Sequence, residues 1–187
     1  MVSCLTKERK EIFEWLKAIG LAIIIAFIIR HFLFSTVVVD GESMLPTLNS
    51  YDRMIVNKAG FSLSGPKRFD IVVFHASEDE DYIKRIIGLP GDTVEYKYDQ
   101  LYINGRPVAE PYLNEYKAEL IDPPLTENFT LEEITGRKKV PNGQVFVMGD
   151  NRRISKDSRH IGTVPVSEIM GEARVVYWPL PEMRIVK

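Results

Sequence analysis

Ser43 is the residue of this sequence that is best placed to act as a nucleophile. It stands in the segment 41–48, where Gly41 and Pro46 mark a loop between two apolar runs. A serine in such a loop could turn its Oγ and its own backbone N–H towards a cleft, as attack on an acyl carbon requires. An ordinary turn serine would produce the same local pattern, so this segment alone leaves both interpretations open.

Lys84 is the candidate general base. The segment 81–88 (DYIKRIIG) alternates as a strand does, which places Lys84 on one face with Tyr82 and Ile86. General-base work near neutral pH requires the pKa of a lysine to fall from about 10.4 to roughly 7–8. That fall is worth ~4 kcal/mol between the two protonation states, and desolvation among bulky neighbours can supply it. The competing interpretation is an edge-strand lysine whose amine remains in water.

The segment 149–159 (GDNRRISKDSR) is dense in small polar and charged residues and follows the apolar run 144–148. It could form the second wall of a cleft and support a base. It could equally be a solvated loop in which Asp157 and Arg159 pair at the surface, worth at most about 1 kcal/mol. His160 comes next, so a Ser/His/Asp triad of Ser43, His160 and Asp157 is a further alternative.

Composition argues against several classes of function. The 187 residues include 24 Lys and Arg against 26 Asp and Glu, so no basic surface for nucleic acid is indicated. Cys4 is the single cysteine, which rules out an intrachain disulfide and a four-ligand Cys/His zinc site. His31, His75 and His160 are not spaced like metal ligands on a helix. The sequence therefore predicts neither a metal nor a cofactor.

An apolar N-terminal region predicts a retained membrane anchor. Residues 18–29 carry no charge, and 12–34 together could cross a bilayer core of about 30 Å if Lys17 and Arg30 reach towards its surfaces. No small-x-small cleavage signature follows this region, although a removed signal peptide and a buried core helix remain alternatives.

The charges that flank this region predict its orientation. Three cations precede it, namely Lys7, Arg9 and Lys10, which favours a cytoplasmic N-terminus. We therefore expect a cytoplasmic tail at 1–11, a transmembrane signal anchor at 12–34 and an extracytoplasmic domain at 35–187.

The domain at 35–187 is predicted to be mostly β. Short apolar runs separated by turn signals indicate a twisted, mainly antiparallel β domain, and Asn104-Gly105 is a strong hairpin signal. The pattern loosens at 109–139, so about 104–140 is expected to be a variable insertion or small subdomain. The expected strands lie at 35–40, 52–57, 69–75, 81–88, 93–98, 101–103, 144–148 and 173–178.

Five segments in the same order resemble the type I signal peptidases, which are serine proteases of the cell membrane. The segment 43–48 looks like the nucleophile motif of that family, 82–92 like its lysine motif and 149–159 like its last motif. Two framework motifs between them are matched by 52–53 and 69–72. Together with the N-terminal anchor, the resemblance spans nearly the whole chain and is closest to the Gram-positive form of the family.

The resemblance implies a Ser/Lys dyad in a fold shared with the self-cleaving repressor proteases. Lys84 would take the proton from Ser43, and Ser155 would hydrogen-bond the Lys84 amine and orient it. Asp157 and Arg159, together with Asp150, would hold the cleft wall in place behind the dyad. The Ser43 backbone N–H would meet the oxyanion, while the second donor stays open because Gly41 stands where one branch of the family has a serine.

The implied activity is removal of signal peptides from exported preproteins at the outer face of the bacterial cytoplasmic membrane. Implied partners are preproteins whose signal peptides end in small residues, membrane lipid and the export translocon. The alternatives are a catalytically inactive membrane-tethered scaffold of the export machinery and a hydrolase that uses His160.

Overall fold

The computed structural model describes residues 2–77 and 80–186, without the side chains of residues 2–12 and of His31. Cys4 therefore lies outside the described side chains. The helices are α1 (Val2–Ile28), α2 (Lys58–Ser64), α3 (Asn114–Glu119), α4 (Leu131–Thr135) and α5 (Ser158–Ile161). The strands are β1 (Phe34–Val38), β2 (Arg53–Asn57), β3 (Ile71–His75), β4 (Asp81–Gly88), β5 (Val94–Lys97), β6 (Gln100–Ile103), β7 (Arg106–Val108), β8 (Phe129–Thr130), β9 (Gln144–Met148), β10 (Val164–Pro165), β11 (Ile169–Trp178) and β12 (Arg184–Ile185).

Helix α1 continues through a π-helical turn, Ile29–Leu33, directly into β1. Many large apolar side chains of α1 are exposed, including Trp15 and Phe27. The transmembrane span expected at 12–34 is nevertheless not found: in the part of the chain that the structure describes, no helix combines the length and the apolarity needed to cross a membrane. The uncharged stretch 18–29 covers only about 18 Å as a helix, against about 30 Å of hydrocarbon.

The larger sheet has the strand order β1-β2-β11-β3-β4-β9-β10, with β12 paired to β11. Its pairings are antiparallel, which confirms the prediction of a mainly antiparallel β domain. Strand β3 shows how both faces are covered, because Ile71 and Val73 belong to one apolar cluster while Val72 and Phe74 belong to another. The sequence of a strand that is buried on both faces is a continuous apolar run rather than an alternation of apolar and polar residues.

The smaller sheet has the order β7-β6-β5-β8. The turn between β6 and β7 places Asn104 at φ 52° and Gly105 at φ 74°, the paired positive values that a two-residue hairpin turn requires. Tyr96 and Phe129 of this sheet share one buried cluster with Phe146 of β9. The two sheets are therefore packed together through a common core.

Two strand edges next to Ser43 and Lys84 have no strand neighbour among the described residues. Strand β1 pairs with β2 alone, and β4 pairs with β9 only from Arg85 onward. Four successive antiparallel pairings connect β1 to β4, so the two strands run in the same direction. The loop after β1 carries Ser43, and β4 carries Lys84.

Candidate active site

Ser43 and Lys84, which are far apart in sequence, meet in the structure. The Lys84 Nζ lies 2.7 Å from the Ser43 Oγ and 3.0 Å from the Ile83 carbonyl oxygen. The Tyr82 ring lies beside the amine, with its centroid 5.1 Å away. Lys84 is only 4% exposed, so the interpretation as an edge lysine in water is wrong. Within the described residues, no carboxylate forms a salt bridge with its amine.

Burial weakens the proton affinity of this lysine. Desolvation lowers the pKa of Lys84 from 10.5 to about 8, against the opposing charges of Asp157 and Asp150, which raise it. At pH 7 roughly a tenth of the molecules would then carry a neutral amine that can accept a proton. For an unperturbed lysine the corresponding fraction is below about a thousandth. The Ser43 hydroxyl at 2.7 Å is the group from which this amine can take a proton.

The loop that carries Ser43 is held from two sides. The Ser43 carbonyl oxygen accepts a hydrogen bond from the Asn151 N–H at 3.0 Å. Met44 and Leu48, on either side of the turn, are buried in the apolar core. The Ser43 backbone N–H makes no hydrogen bond with any described residue, which leaves it available as a donor. Gly41, two residues earlier, has φ +93°, a conformation that glycine adopts without strain.

Asp150 connects the nucleophile loop to β4. Its two carboxylate oxygens accept hydrogen bonds from Arg85 Nε at 2.9 Å and Arg85 Nη2 at 2.7 Å, and both side chains are fully buried. The same carboxylate accepts a hydrogen bond from the hydroxyl of Thr47. Asp150 therefore links the loop that carries Ser43 to the strand that carries Lys84. Arg85 was not identified from the sequence because strand alternation assigned it to the face opposite Lys84.

Asp157 and Arg159 form a second ion pair behind the site. The guanidinium donates to both Asp157 oxygens, at 2.9 and 2.8 Å, and the Gly149 N–H donates to one of them at 3.0 Å. Burial would raise the pKa of Asp157, but these donors outweigh it and hold the pKa below its usual value. Asp157 is completely buried, so the interpretation of 149–159 as a solvated loop is wrong here.

Ser155 lies beside the dyad without contacting it by hydrogen bond. Its Oγ is buried and meets no partner with hydrogen-bond distance and angle among the described residues, so the expected bond to the Lys84 amine is not formed. It is still close enough to Asp157 to help lower the pKa of that carboxyl. Gly149 explains the close packing: a Cβ there would lie 2.3 Å from Ser155 Oγ and 2.4 Å from the Ser43 carbonyl oxygen. His160 is exposed and lines a different cavity, and no hydrogen bond joins it to Ser43 within the described residues.

A buried polar cluster that sequence reasoning missed lies behind the 149–157 loop. Arg152 donates to the Gly149 carbonyl at 3.0 Å and to Glu110 Oε1 at 2.6 Å. Glu110 also accepts hydrogen bonds from the hydroxyls of Tyr96 and Tyr112, both at 2.7 Å. Glu110 and Tyr112 belong to the region whose pattern loosens, so no local signal distinguished them from surface residues.

A groove of about 490 Å³ opens in front of the dyad. One side is formed by residues 37–40, at the end of β1 and directly after it, and the other side by residues 81–84 of β4. Ile154 and Lys156 complete the groove. Each of these strands has an unpaired edge among the described residues. A nucleophile and a buried general base therefore lie at the bottom of a groove. The two sides of this groove can form hydrogen bonds with an extended peptide chain.

Comparisons of the sequence and the structure with known proteins agree on one family. The sequence profile of a family described as "Signal peptidase, peptidase S26" matches residues 12–178. Signal peptidase I of Bacillus caldolyticus is 52% identical over 161 residues, which cover 86% of this chain and 88% of that protein. Signal peptidase I of Bacillus amyloliquefaciens is 47% identical, over 97% of this chain and 96% of that protein. A crystal structure of a signal peptidase I from Enterococcus faecalis V583 superposes with a TM-score of 0.55 at 44% identity, over 58% of this chain and 97% of that one.

Proposed function

Since this chain belongs to the peptidase S26 family of type I signal peptidases, we propose that it removes signal peptides from exported preproteins with Ser43 as nucleophile and Lys84 as general base. The observation that carries this proposal is the 2.7 Å contact between the Lys84 amine and the Ser43 hydroxyl in a buried setting. An amine that is desolvated and not paired with a carboxylate is the form of lysine that can accept a proton near neutral pH.

The proposed reaction proceeds in two halves. Neutral Lys84 takes the proton of Ser43 Oγ as that oxygen bonds to the scissile carbonyl carbon. When the peptide C–N bond breaks, the leaving nitrogen takes the proton from the Lys84 ammonium and the signal peptide remains as an ester on Ser43. Water then attacks the ester and gives one proton to Lys84, which returns it to Ser43 Oγ as the carboxylic acid product leaves.

The negative charge that forms on the carbonyl oxygen needs donors. The Ser43 N–H supports this role because it makes no hydrogen bond with the described residues. The Ser43 carbonyl, in the peptide unit that follows, accepts a hydrogen bond from the Asn151 N–H, which restrains the backbone on the C-terminal side of the nucleophile. The second donor remains unassigned, since Gly41 has no side chain to contribute.

The groove supports a peptide substrate in extended conformation. Its two sides are the edge of β1 and the first half of β4, neither of which has a strand partner there within the described part of the chain. The two strands run in the same direction. A substrate strand lying between them could exchange main-chain hydrogen bonds with both sides, which supplies affinity without selecting side chains. Selection of small residues next to the cleaved bond is what membership of the family implies, and it remains a proposal for this chain.

We further infer that α1 attaches the domain to the membrane. The support is the uncharged stretch 18–29, whose large side chains are exposed, and the cations that precede it. Ser43 stands only 13 residues after Arg30, so it can work at most about 45 Å from that point. Recovery of the full chain in the soluble fraction of lysed cells, without detergent, would contradict this attachment.

The dyad is tested by cleavage of a preprotein in detergent. Ser43→Ala and Lys84→Ala should each abolish cleavage while the circular dichroism spectrum stays that of the wild type. His160→Ala is the matched control and should cleave normally, because this residue lines a separate cavity. Substantial cleavage by Lys84→Ala would eliminate Lys84 as the base, and loss of cleavage in His160→Ala alone would favour a triad. Absence of any wild-type cleavage would favour the non-catalytic scaffold.

A further inference from the structure

Tyr112 contacts Arg85, the residue that is paired with Asp150. Tyr112 itself lies outside the five segments that resemble the family motifs. The Arg85 guanidinium lies 3.9 Å from the centre of the Tyr112 ring, close enough for a cation–π contact. The ring also packs edge-on against Phe69 at 5.5 Å, and the Phe69 carbonyl accepts a hydrogen bond from Arg85 Nη1 at 2.9 Å. The Tyr112 ring therefore packs beside Arg85, whose guanidinium also contacts Asp150 and the Phe69 carbonyl.

The hydroxyl of the same side chain reaches the second supporting arginine. It donates to Glu110 Oε1 at 2.7 Å and accepts from Arg152 Nη2 at 3.1 Å. Arg152 in turn holds the Gly149 carbonyl, and its neighbour Asn151 donates to the Ser43 carbonyl. Tyr112 thus contacts two arginines, Arg85 and Arg152. The first follows Lys84 on β4, and the second follows the residue whose N–H binds the Ser43 carbonyl.

We propose that Tyr112 is a positioning residue for the dyad, with its ring holding Arg85 on Asp150 and its hydroxyl fixing Arg152. This inference rests on the Ser43/Lys84 mechanism proposed above. Arg85 follows Lys84 directly on β4, and Asp150 also binds Thr47 of the nucleophile loop. The placement of Arg85 on Asp150 therefore sets how β4 and the nucleophile loop meet. Tyr112 acts on the reacting atoms only through these residues.

Loss of the ring has a consequence that depends on pH. Asp150 and Asp157 are the carboxylates whose charge raises the pKa of Lys84, and Arg85 offsets the charge of Asp150 only while it stays on that carboxylate. If the ring is removed, water can reach Arg85 and weaken the pair, so the pKa of Lys84 should rise. The other charged or titratable groups near the amine line the groove or pair behind it: Asp40, Glu42, Asp81, Tyr82, Lys156 and Arg159.

The test is the pH profile of kcat/KM between pH 6 and 10, measured on the full chain in detergent with a preprotein substrate. Tyr112→Leu removes the ring and should move the acidic limb upward by about half a pH unit or more, which is a threefold or greater extra loss at pH 7 relative to pH 10. Tyr112→Phe keeps the ring and should leave the limb in place. Tyr98→Leu, the same replacement at a side chain that is 91% exposed, is the control and should match the wild type throughout.

The outcomes separate positioning from general structural support. Equal loss of rate at every pH in Tyr112→Leu, or an equal limb shift in Tyr112→Phe, would refute the proposal. If circular dichroism shows that Tyr112→Leu is unfolded, Tyr112→Met, whose flexible unbranched side chain adapts better to the space left by the ring, takes its place with the same expectation. Full activity of Lys84→Ala would refute the dyad itself. An inactive Lys84→Ala beside an unmoved limb in Tyr112→Leu would refute only the role of Tyr112.

Discussion

Replacing Lys84 by methionine separates two properties of this residue: the free-energy cost of burying its amine and its role as the general base. Methionine retains an unbranched side chain of similar length but carries no titratable amine. Cleavage should be lost, because no group remains to accept the Ser43 proton. The more informative expectation concerns stability, since the native fold must hold this amine away from water.

The size of the effect follows from the lowered pKa. A fall from 10.5 to about 8 is 2.5 units, which corresponds to about 3 kcal/mol of folding free energy at about 1.36 kcal/mol per unit. The hydrogen bonds from Lys84 to Ser43 Oγ and the Ile83 carbonyl, worth roughly 1 kcal/mol each, oppose the gain in the variant. Their loss changes the difference in unfolding free energy between variant and wild type by the same amount at every pH. It does not change how that difference varies with pH.

The sign follows from proton counting. Between about pH 8 and pH 10.5 the unfolded chain holds a proton on Lys84 that the native state has released. The wild type therefore gains stability as pH rises through this window, and below about pH 8 it bears the full cost of a charged buried amine. Lys84→Met bears no such cost. Its stability relative to the wild type should be about 3 kcal/mol more favourable at pH 7 than at pH 11.

Urea unfolding of both proteins in the same detergent, followed by circular dichroism at several pH values, measures this difference. Titration of the other groups, including the eight tyrosines, occurs in both proteins and cancels in the comparison. A difference that stays constant from pH 7 to pH 11 would refute the reasoning, because Lys84 would then titrate alike in the folded and unfolded chain. A difference that grows towards high pH would show a raised pKa and exclude Lys84 as a base near neutral pH.

Two further substitutions test the supports of the dyad. Asp150→Asn leaves the fully buried Arg85 without a counter-charge and should cost about 3–5 kcal/mol in urea unfolding, so a cost below about 1 kcal/mol would mean that the pair contributes little. Gly149→Ala would place a Cβ 2.4 Å from the Ser43 carbonyl oxygen and should lower kcat about a hundredfold, whereas Gly20→Ala, where nothing lies within 4 Å, should keep the wild-type rate. Normal turnover by Gly149→Ala would show that the position of the Ser43 backbone is not critical.

Local patterns in the sequence predicted eight of the twelve strands and the chemical candidates, and they missed the short strands β7, β8, β10 and β12. Strand β4 was predicted at 81–88, and the structure has Asp81–Gly88, because side-chain alternation and the following Pro90 are properties of neighbouring residues. The Asn104-Gly105 hairpin likewise needs only the positive φ angles that these residue types tolerate. Ser43 and Lys84 could be proposed as a dyad because their segments resemble known motifs, but spacing in the chain gave no distance between them.

Only the tertiary structure decided how those candidates are supported. Arg85 reaches Asp150 across 65 positions, and Tyr112 and Glu110 come from a region without a regular pattern. The expected bond from Ser155 to Lys84 is not formed, although both residues lie beside Ser43. Desolvation of an amine and the choice of an ion-pair partner depend on which distant segments return to the same place. Periodicity reports which face of its own element a residue occupies, and therefore cannot report what packs against that face.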